Sequence, residues 1–96
     1  MRKYEFTIIF NPDEDATEQG LTRVLAELEA AKVEITKQDD MGVKTLAYPI
    51  HKHETGHYFY FELNADPATI NTFNNSFRLM NPVLKFLFVL KSKQTN

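Results

Sequence analysis

The chain has no cysteine, so it can hold neither a disulfide framework nor a thiolate metal site, and that absence suits a reducing compartment. No apolar run approaches the roughly 18 residues that a membrane-spanning helix needs. The opening MRKYEFTIIF alternates and already carries an acid at Glu5, unlike a secretory leader, so a soluble and unprocessed protein is expected. An excess of positive charge is missing too. Eleven Lys and Arg face thirteen Asp and Glu, for a formal net charge of -2. Taken alone, that argues against nucleic acid, because phosphate binding is driven largely by lysine and arginine displacing counterions. Nucleophiles are scarce: the two serines, Ser76 and Ser92, fall in a predicted helix and in the C-terminal tail, neither in a nucleophile-elbow pattern.

What is present fits one domain. Ninety-six residues, 43% of them hydrophobic, supply one core and leave no room for a second. In KYEFTIIF, Tyr4, Phe6, Ile8 and Phe10 lie to one side and Glu5 and Thr7 to the other, a half-buried strand that stops at Asn11-Pro12. Asp15, three residues before Glu18, predicts a capping-box start. Leu21, Val24, Leu25 and Leu28 then recur at helical spacing to about Ala31. Gly20 within that helix costs about 1 kcal/mol relative to alanine.

Val33 and Ile35 restart alternation and Val43 to Ile50 resume it, which predicts one long strand bent near Met41-Gly42. Pro49 cannot donate to a ladder and places this strand at a sheet edge. HKHETG turns the chain, with Gly56 expected to supply a positive φ, and HYFYFEL follows as a strand with Phe59, Phe61 and Leu63 inward and Tyr58, Tyr60 and Glu62 outward. Asp66-Pro67 opens a second helix with Ile70, Phe73 and Phe77 on one face, and Asn81-Pro82 closes it. The last strand, VLKFLFVLK, is apolar enough to be paired on both edges. The order βαββαβ is the α+β, ferredoxin-like arrangement: a four-stranded antiparallel sheet in the order 4-1-3-2 with both helices on one face. The domain is expected over residues 1–93, with a flexible tail at 94–96.

Several constellations compete for function. His51, His53 and His57 could converge across the hairpin on a metal, with Glu54 as a fourth ligand, or form a polar hairpin tip. GHYFYF loosely resembles the third strand of an RNA-recognition motif, but Thr55 stands where that signature wants a basic residue and a ring stands where it wants a small one. The small acyl phosphate hydrolases share the fold order, but they place a glycine-rich loop with an arginine after the first strand. Here that loop is Asn11-Pro12-Asp13-Glu14-Asp15, which repels phosphate, and the protein reads as a non-enzyme. Charge is unevenly spread. Residues 1–40 hold five basic and ten acidic side chains (-5), while residues 41–96 hold six and three (+3). Such a chain binds RNA weakly alone and can meet an anionic partner through a small basic patch.

The stretches RKYEFTIIFNPD, GVKTLAYPIHK, GHYFYFEL and FRLMNPVLKFLFVLKS together resemble the family of the bacterial sixth small-subunit ribosomal protein, from Met1 to about Lys93. The most specific piece is Leu46-Ala47-Tyr48-Pro49-Ile50 preceded by Gly42 and Lys44, supported by Phe77-Arg78 and by Val89-Leu90-Lys91. Thr45 departs from the charged or larger polar residue common there. The resemblance implies a cytoplasmic, ribosomal structural protein with no cofactor, no small-molecule substrate and no membrane. It would bind the central domain of 16S ribosomal RNA as a heterodimer with the eighteenth small-subunit ribosomal protein. On that reading Arg2, Lys44, Lys52, Arg78, Lys91 and Lys93 position the RNA backbone, and Leu46, Ala47, Tyr48, Pro49 and Ile50 face the partner. A stand-alone module binding single-stranded RNA is the alternative.

Overall fold

Alternation along the first strand, β1 (Arg2–Phe10), buries Tyr4, Phe6, Ile8 and Phe10 on one face and makes it the centre of the sheet. The computed structural model describes residues 1–91; Lys93 and the tail expected at 94–96 lie outside the described residues. After β1 come α1 (Glu14–Ala30), β2 (Glu34–Ile50), β3 (His53–Ala65), α2 (Pro67–Arg78) and β4 (Val83–Leu90). The sheet runs β2-β3-β1-β4 with every pair antiparallel, the expected ferredoxin-like order. None of the described helices is long and apolar enough to cross a membrane.

Both helices press onto one face. Val24 and Leu28 from α1 and Ile70, Phe73 and Phe77 from α2 join the inward rows of β1 and β3 in a single core. Phenylalanine dominates it: the Phe6 ring lies 4.2 Å from Phe88 and 5.6 Å from Phe77. Each such buried side chain contributes about 1.5–3 kcal/mol of transfer free energy.

Four local expectations give way to tertiary geometry. First, α1 begins two residues earlier than the Asp15/Glu18 pattern suggests. Asp13 is the cap, its carboxylate accepting from the Asp15 N–H at 3.0 Å, because Asn11 is anchored by its own N–H to the Pro82 carbonyl at 2.8 Å and sets where the chain turns. Second, Gly20 is no burden. A Cβ there would lie 2.6 Å from Phe10 Cδ1 and 3.0 Å from Pro82 Cβ, so only glycine lets α1 approach this end of the sheet.

Third, β4 is an edge strand paired with β1 alone. Its apolar character comes instead from Phe86 and Phe88 reaching the core while Leu87 and Val89 remain exposed on the open face. Fourth, Gly56 sits inside β3, and the positive φ falls on His51 (49°) and Lys52 (69°). With Ile50 paired to His53, these two form a two-residue hairpin turn of the kind that requires φ > 0 at both central positions. Non-glycine residues in that region cost roughly 1–2 kcal/mol each.

The expected bend in β2 is present: Met41 is an extra residue between the Asp40–Phe59 and Gly42–Tyr58 pairs, and Gly42 adopts φ 82°. A larger buckle follows. Between the Thr45–Thr55 and Ile50–His53 pairs, Leu46, Ala47, Tyr48 and Pro49 all stand opposite Glu54. Pro49 has no N–H to give the ladder, and the slack lets this arm of the hairpin leave the plane of the sheet.

Candidate nucleic-acid interface

The basic residues singled out from the sequence separate into two groups at opposite ends of the sheet. Arg2 opens β1, and Lys91 donates its backbone N–H to the Lys3 carbonyl at 2.9 Å, which brings Arg2, Lys3 and Lys91 to one end. Lys44, Lys52 and Arg78 lie at the other: Lys44 beside the start of β3, Lys52 in the hairpin turn and Arg78 at the last turn of α2. Nine residues of strand, about 30 Å at 3.3 Å per residue, separate the ends. Of the basic residues singled out, the five that are described do not form a single patch, and Lys93 lies outside the described residues.

Acids and hydroxyls fill the middle of the open face at the first of these ends. Glu5 pairs directly across from Glu62, and the Tyr60 hydroxyl donates to Glu62 Oε2 at 2.8 Å. Burial first, and then the Glu62 and Glu5 carboxylates, raise the Tyr60 hydroxyl well above the ordinary tyrosine value. The same hydrogen bond, with help from Lys91, Lys37 and Lys3, lowers the Glu62 carboxyl below its own. Lys91 Nζ reaches Glu62 Oε1 at 3.9 Å, so part of its charge is answered within the protein. A phosphate laid across the centre of this face would meet carboxylates.

At the opposite end the buckled arm rearranges what the sequence shows in line. Leu46 turns in and is only 7% exposed, its Cδ2 3.4 Å from where a Gly56 Cβ would stand. That hypothetical Cβ would also run into Ile9 Cγ2, so Gly56 is a close-approach glycine that lets β3, β1 and the arm meet. Tyr48 is pushed out to 62% exposure. Of the five residues from Leu46 to Ile50, Ala47, Tyr48 and Pro49 are exposed, Ile50 is half-buried, and Leu46 holds the others in place from beneath.

The arm reaches across the end of β1 as far as β4. Lys85 Nζ lies 5.8 Å from the centre of the Tyr48 ring, and Lys44 Nζ lies 5.8 Å from that of Tyr58, both within cation–π range. His51 meets Arg78, Val83, Leu84, Lys85 and Phe86 around an open cleft of 260 Å³. The histidines therefore go separate ways: His57 Nε2 is 2.6 Å from Asp40 Oδ1 across the β2–β3 pair, while His51 lines the cleft. Among the described residues no three His, Asp or Glu side chains are grouped as a metal would need. Lys85 is the residue that reading along the chain undervalues. Its only sequence signal is that it interrupts the apolar row of β4.

The fold and this charge layout define a small ferredoxin-like domain with exposed cations at the two ends of its sheet. Comparison with known proteins gives the family. Residues 3–90 match the family described as Ribosomal protein S6. The small ribosomal subunit protein bS6 of Treponema pallidum is 35% identical over 89 residues, covering 93% of this chain and 96% of that protein. In structure, the 30S ribosomal protein S6 of Thermotoga maritima superposes with a TM-score of 0.84 at 26% identity, over 94% of this chain and 87% of that one. The C-terminal domain of the MgtC protein from Mycobacterium tuberculosis, at TM-score 0.65 and 10% identity over 100% of this chain and 95% of that one, shares the fold alone. The chain belongs to the ribosomal protein S6 family, structural and non-enzymatic proteins of the bacterial small ribosomal subunit.

Proposed function

We propose that the protein binds the central domain of 16S ribosomal RNA as a heterodimer with the eighteenth small-subunit ribosomal protein. The observation that carries this reading is the division of charge. Exposed cations stand at both ends of the sheet, Arg2 and Lys91 at one and Lys44, Lys52 and Arg78 at the other, while Glu5, Tyr60 and Glu62 occupy the open face near the first. Such a surface straddles a backbone at two points and leaves base stacking on the sheet unfavoured.

A chain of net charge -2 needs a basic companion to reach useful affinity, since a continuous shared surface converts two weak contacts into one strong one. Exposed Tyr48, flanked by Ala47 and Pro49, supplies a ring and a hydroxyl to that companion's edge, and Pro49 limits indiscriminate strand pairing.

Filter binding on a central-domain rRNA fragment, with and without the eighteenth protein and at two salt concentrations, tests the reading. Tight, salt-sensitive retention only with the partner is expected. Equally tight binding by this chain alone would replace it with the stand-alone module. Tyr48→Ala should weaken heterodimer formation with the fold intact, and an unchanged heterodimer affinity would remove Tyr48 from the interface.

A further inference from the structure

The hairpin turn is built in a costly backbone conformation that asparagine and glycine would adopt more readily, and in that conformation it presents His51 to the cleft on β4. Strain of this kind is concentrated where a function needs the geometry. The cleft it helps to form has a consistent chemistry. Of its six lining residues, His51, Arg78 and Lys85 can donate to an anion, Val83, Leu84 and Phe86 are apolar, and none is a carboxylate.

Arg78 is oriented without being neutralised: its guanidinium donates to the Asn75 side-chain oxygen at 2.9 Å, and among the described residues neither Arg78 nor Lys85 forms an ion pair. Directly beside the cleft, Lys85 lies against the Tyr48 ring, which is 62% exposed. A volume of 260 Å³ sits just under the range of about 300–1,000 Å³ typical of small-molecule sites, and suits one nucleotide unit better than a folded peptide.

We propose that this cleft is a single-nucleotide site, taking one phosphate of an RNA strand between Arg78, Lys85 and His51 and stacking the attached base on the cleft-side part of the exposed Tyr48 ring, whose hydroxyl edge is left to the protein partner. Guanidinium and phosphate match in geometry, and a tyrosine ring accepts any base. The inference rests on the RNA-binding reading for its natural occupant, and it deepens that reading by assigning Lys85 and His51 roles beside Arg78.

Amide-shift titration of the full chain with adenosine 5′-monophosphate, and separately with inorganic phosphate, tests it. Saturable shifts confined to Tyr48, His51, Lys52, Arg78 and residues 83–86 are expected, with the nucleotide binding about five-fold or more tighter than phosphate. Arg78→Gln and Lys85→Gln, both at exposed positions, should each weaken the nucleotide about ten-fold. Tyr48→Leu should weaken the nucleotide and leave phosphate unchanged.

Equal shifts from phosphate and nucleotide, or shifts gathered around Arg2 and Lys91, overturn the site. So do shifts at Arg78 and residues 83–86 on adding the eighteenth protein without RNA, which would make the cleft a peptide-docking surface, whereas shifts at Tyr48 and its neighbours 46–50 in that experiment are those of the heterodimer edge. If the rRNA fragment is not bound while the nucleotide still saturates the cleft, the cleft stands and the ribosomal RNA reading falls. If partner-dependent rRNA binding is intact and indifferent to Arg78→Gln and Lys85→Gln, the cleft falls alone.

Discussion

Gly20 and Asp40 illustrate how single residues are governed by neighbours far away in the chain. Replacing a mid-helix glycine with alanine ordinarily stabilises by about 1 kcal/mol. At Gly20 the new methyl would meet the Phe10 ring and Pro82, so Gly20→Ala is expected to destabilise by about 1–3 kcal/mol, read as a lower urea midpoint at unchanged slope. Asp40 accepts from the His57 ring and from the Gly42 N–H at 2.9 Å, and the His57 bond is the first cause of a carboxyl held below its ordinary value of 3.8. A folded-state value below the unfolded one stabilises at pH values above the unfolded one, and the contribution is lost as pH falls through the folded value. Stability should therefore fall off in acid, and Asp40→Asn should flatten that limb without moving the neutral plateau's shape. An unchanged acid limb in a pH series of urea melts would remove the pair from the account. Both residues are plain in the sequence, but neither neighbour is, since Phe10 and His57 reach them only through packing and strand pairing.

At the scale of elements, the patterns for β1, β3 and α2 are readable because each buries one periodic face. Along β3 the inward row Phe59, Phe61, Leu63 and the outward row Tyr58, Tyr60, Glu62 stand as alternation predicts. The start of α1 is less legible, since two acids, Asp13 and Asp15, compete for the cap and the Asn11–Pro82 anchor decides between them. Asp13→Ala should cost about 0.5–2 kcal/mol, and Asp15→Ala less, in paired denaturation curves. The hairpin arm gives the sharpest case. His51→Asn combined with Lys52→Gly places the preferred residues in the turn and should raise stability by about 2–4 kcal/mol if both residues are relieved. The same double change replaces the His51 imidazole in the cleft with a shorter, always neutral amide and removes one exposed lysine, so a more stable protein with weaker nucleotide or rRNA binding is expected. Loss of stability would show that the side chains of His51 and Lys52 contribute more than their backbone costs.

For the whole molecule, the proposed RNA binding uses two cationic ends held apart by the sheet. Backbone contacts act independently when they are this far separated. Arg2→Ala and Arg78→Ala should each reduce the slope of log K against log salt by about 0.7–0.9 for the partner-assisted complex, and the double change should lose the sum. A double change no worse than either single one would mean that only one end meets RNA. The acidic first half explains why the separation matters. Strand β1 belongs to the acidic half of the chain and supplies Glu5 to the open face, while β4, from the basic half, lies next to it and supplies Lys85, with Lys91 just past its end. Charge that reads as two blocks along the chain is interleaved in space, and only the ends stay basic.

Hydrophobic period and turn chemistry by themselves determined that this chain makes βαββαβ, which faces are buried, and that β2 bends near Met41 and Gly42. These are local properties, set by 2.0 and 3.6 residue repeats and by what proline and glycine permit over a few residues. Only the tertiary structure decided that Leu46 turns inward while Tyr48 turns out, that Gly20 and Gly56 are contact points, that the turn strain falls on His51 and Lys52, and that Tyr48 meets Lys85 from a strand three positions further across the sheet. These depend on α1 closing onto Phe10 and Pro82 and on a hairpin arm crossing the end of β1, contacts between residues far apart in sequence that no repeat within a single segment encodes.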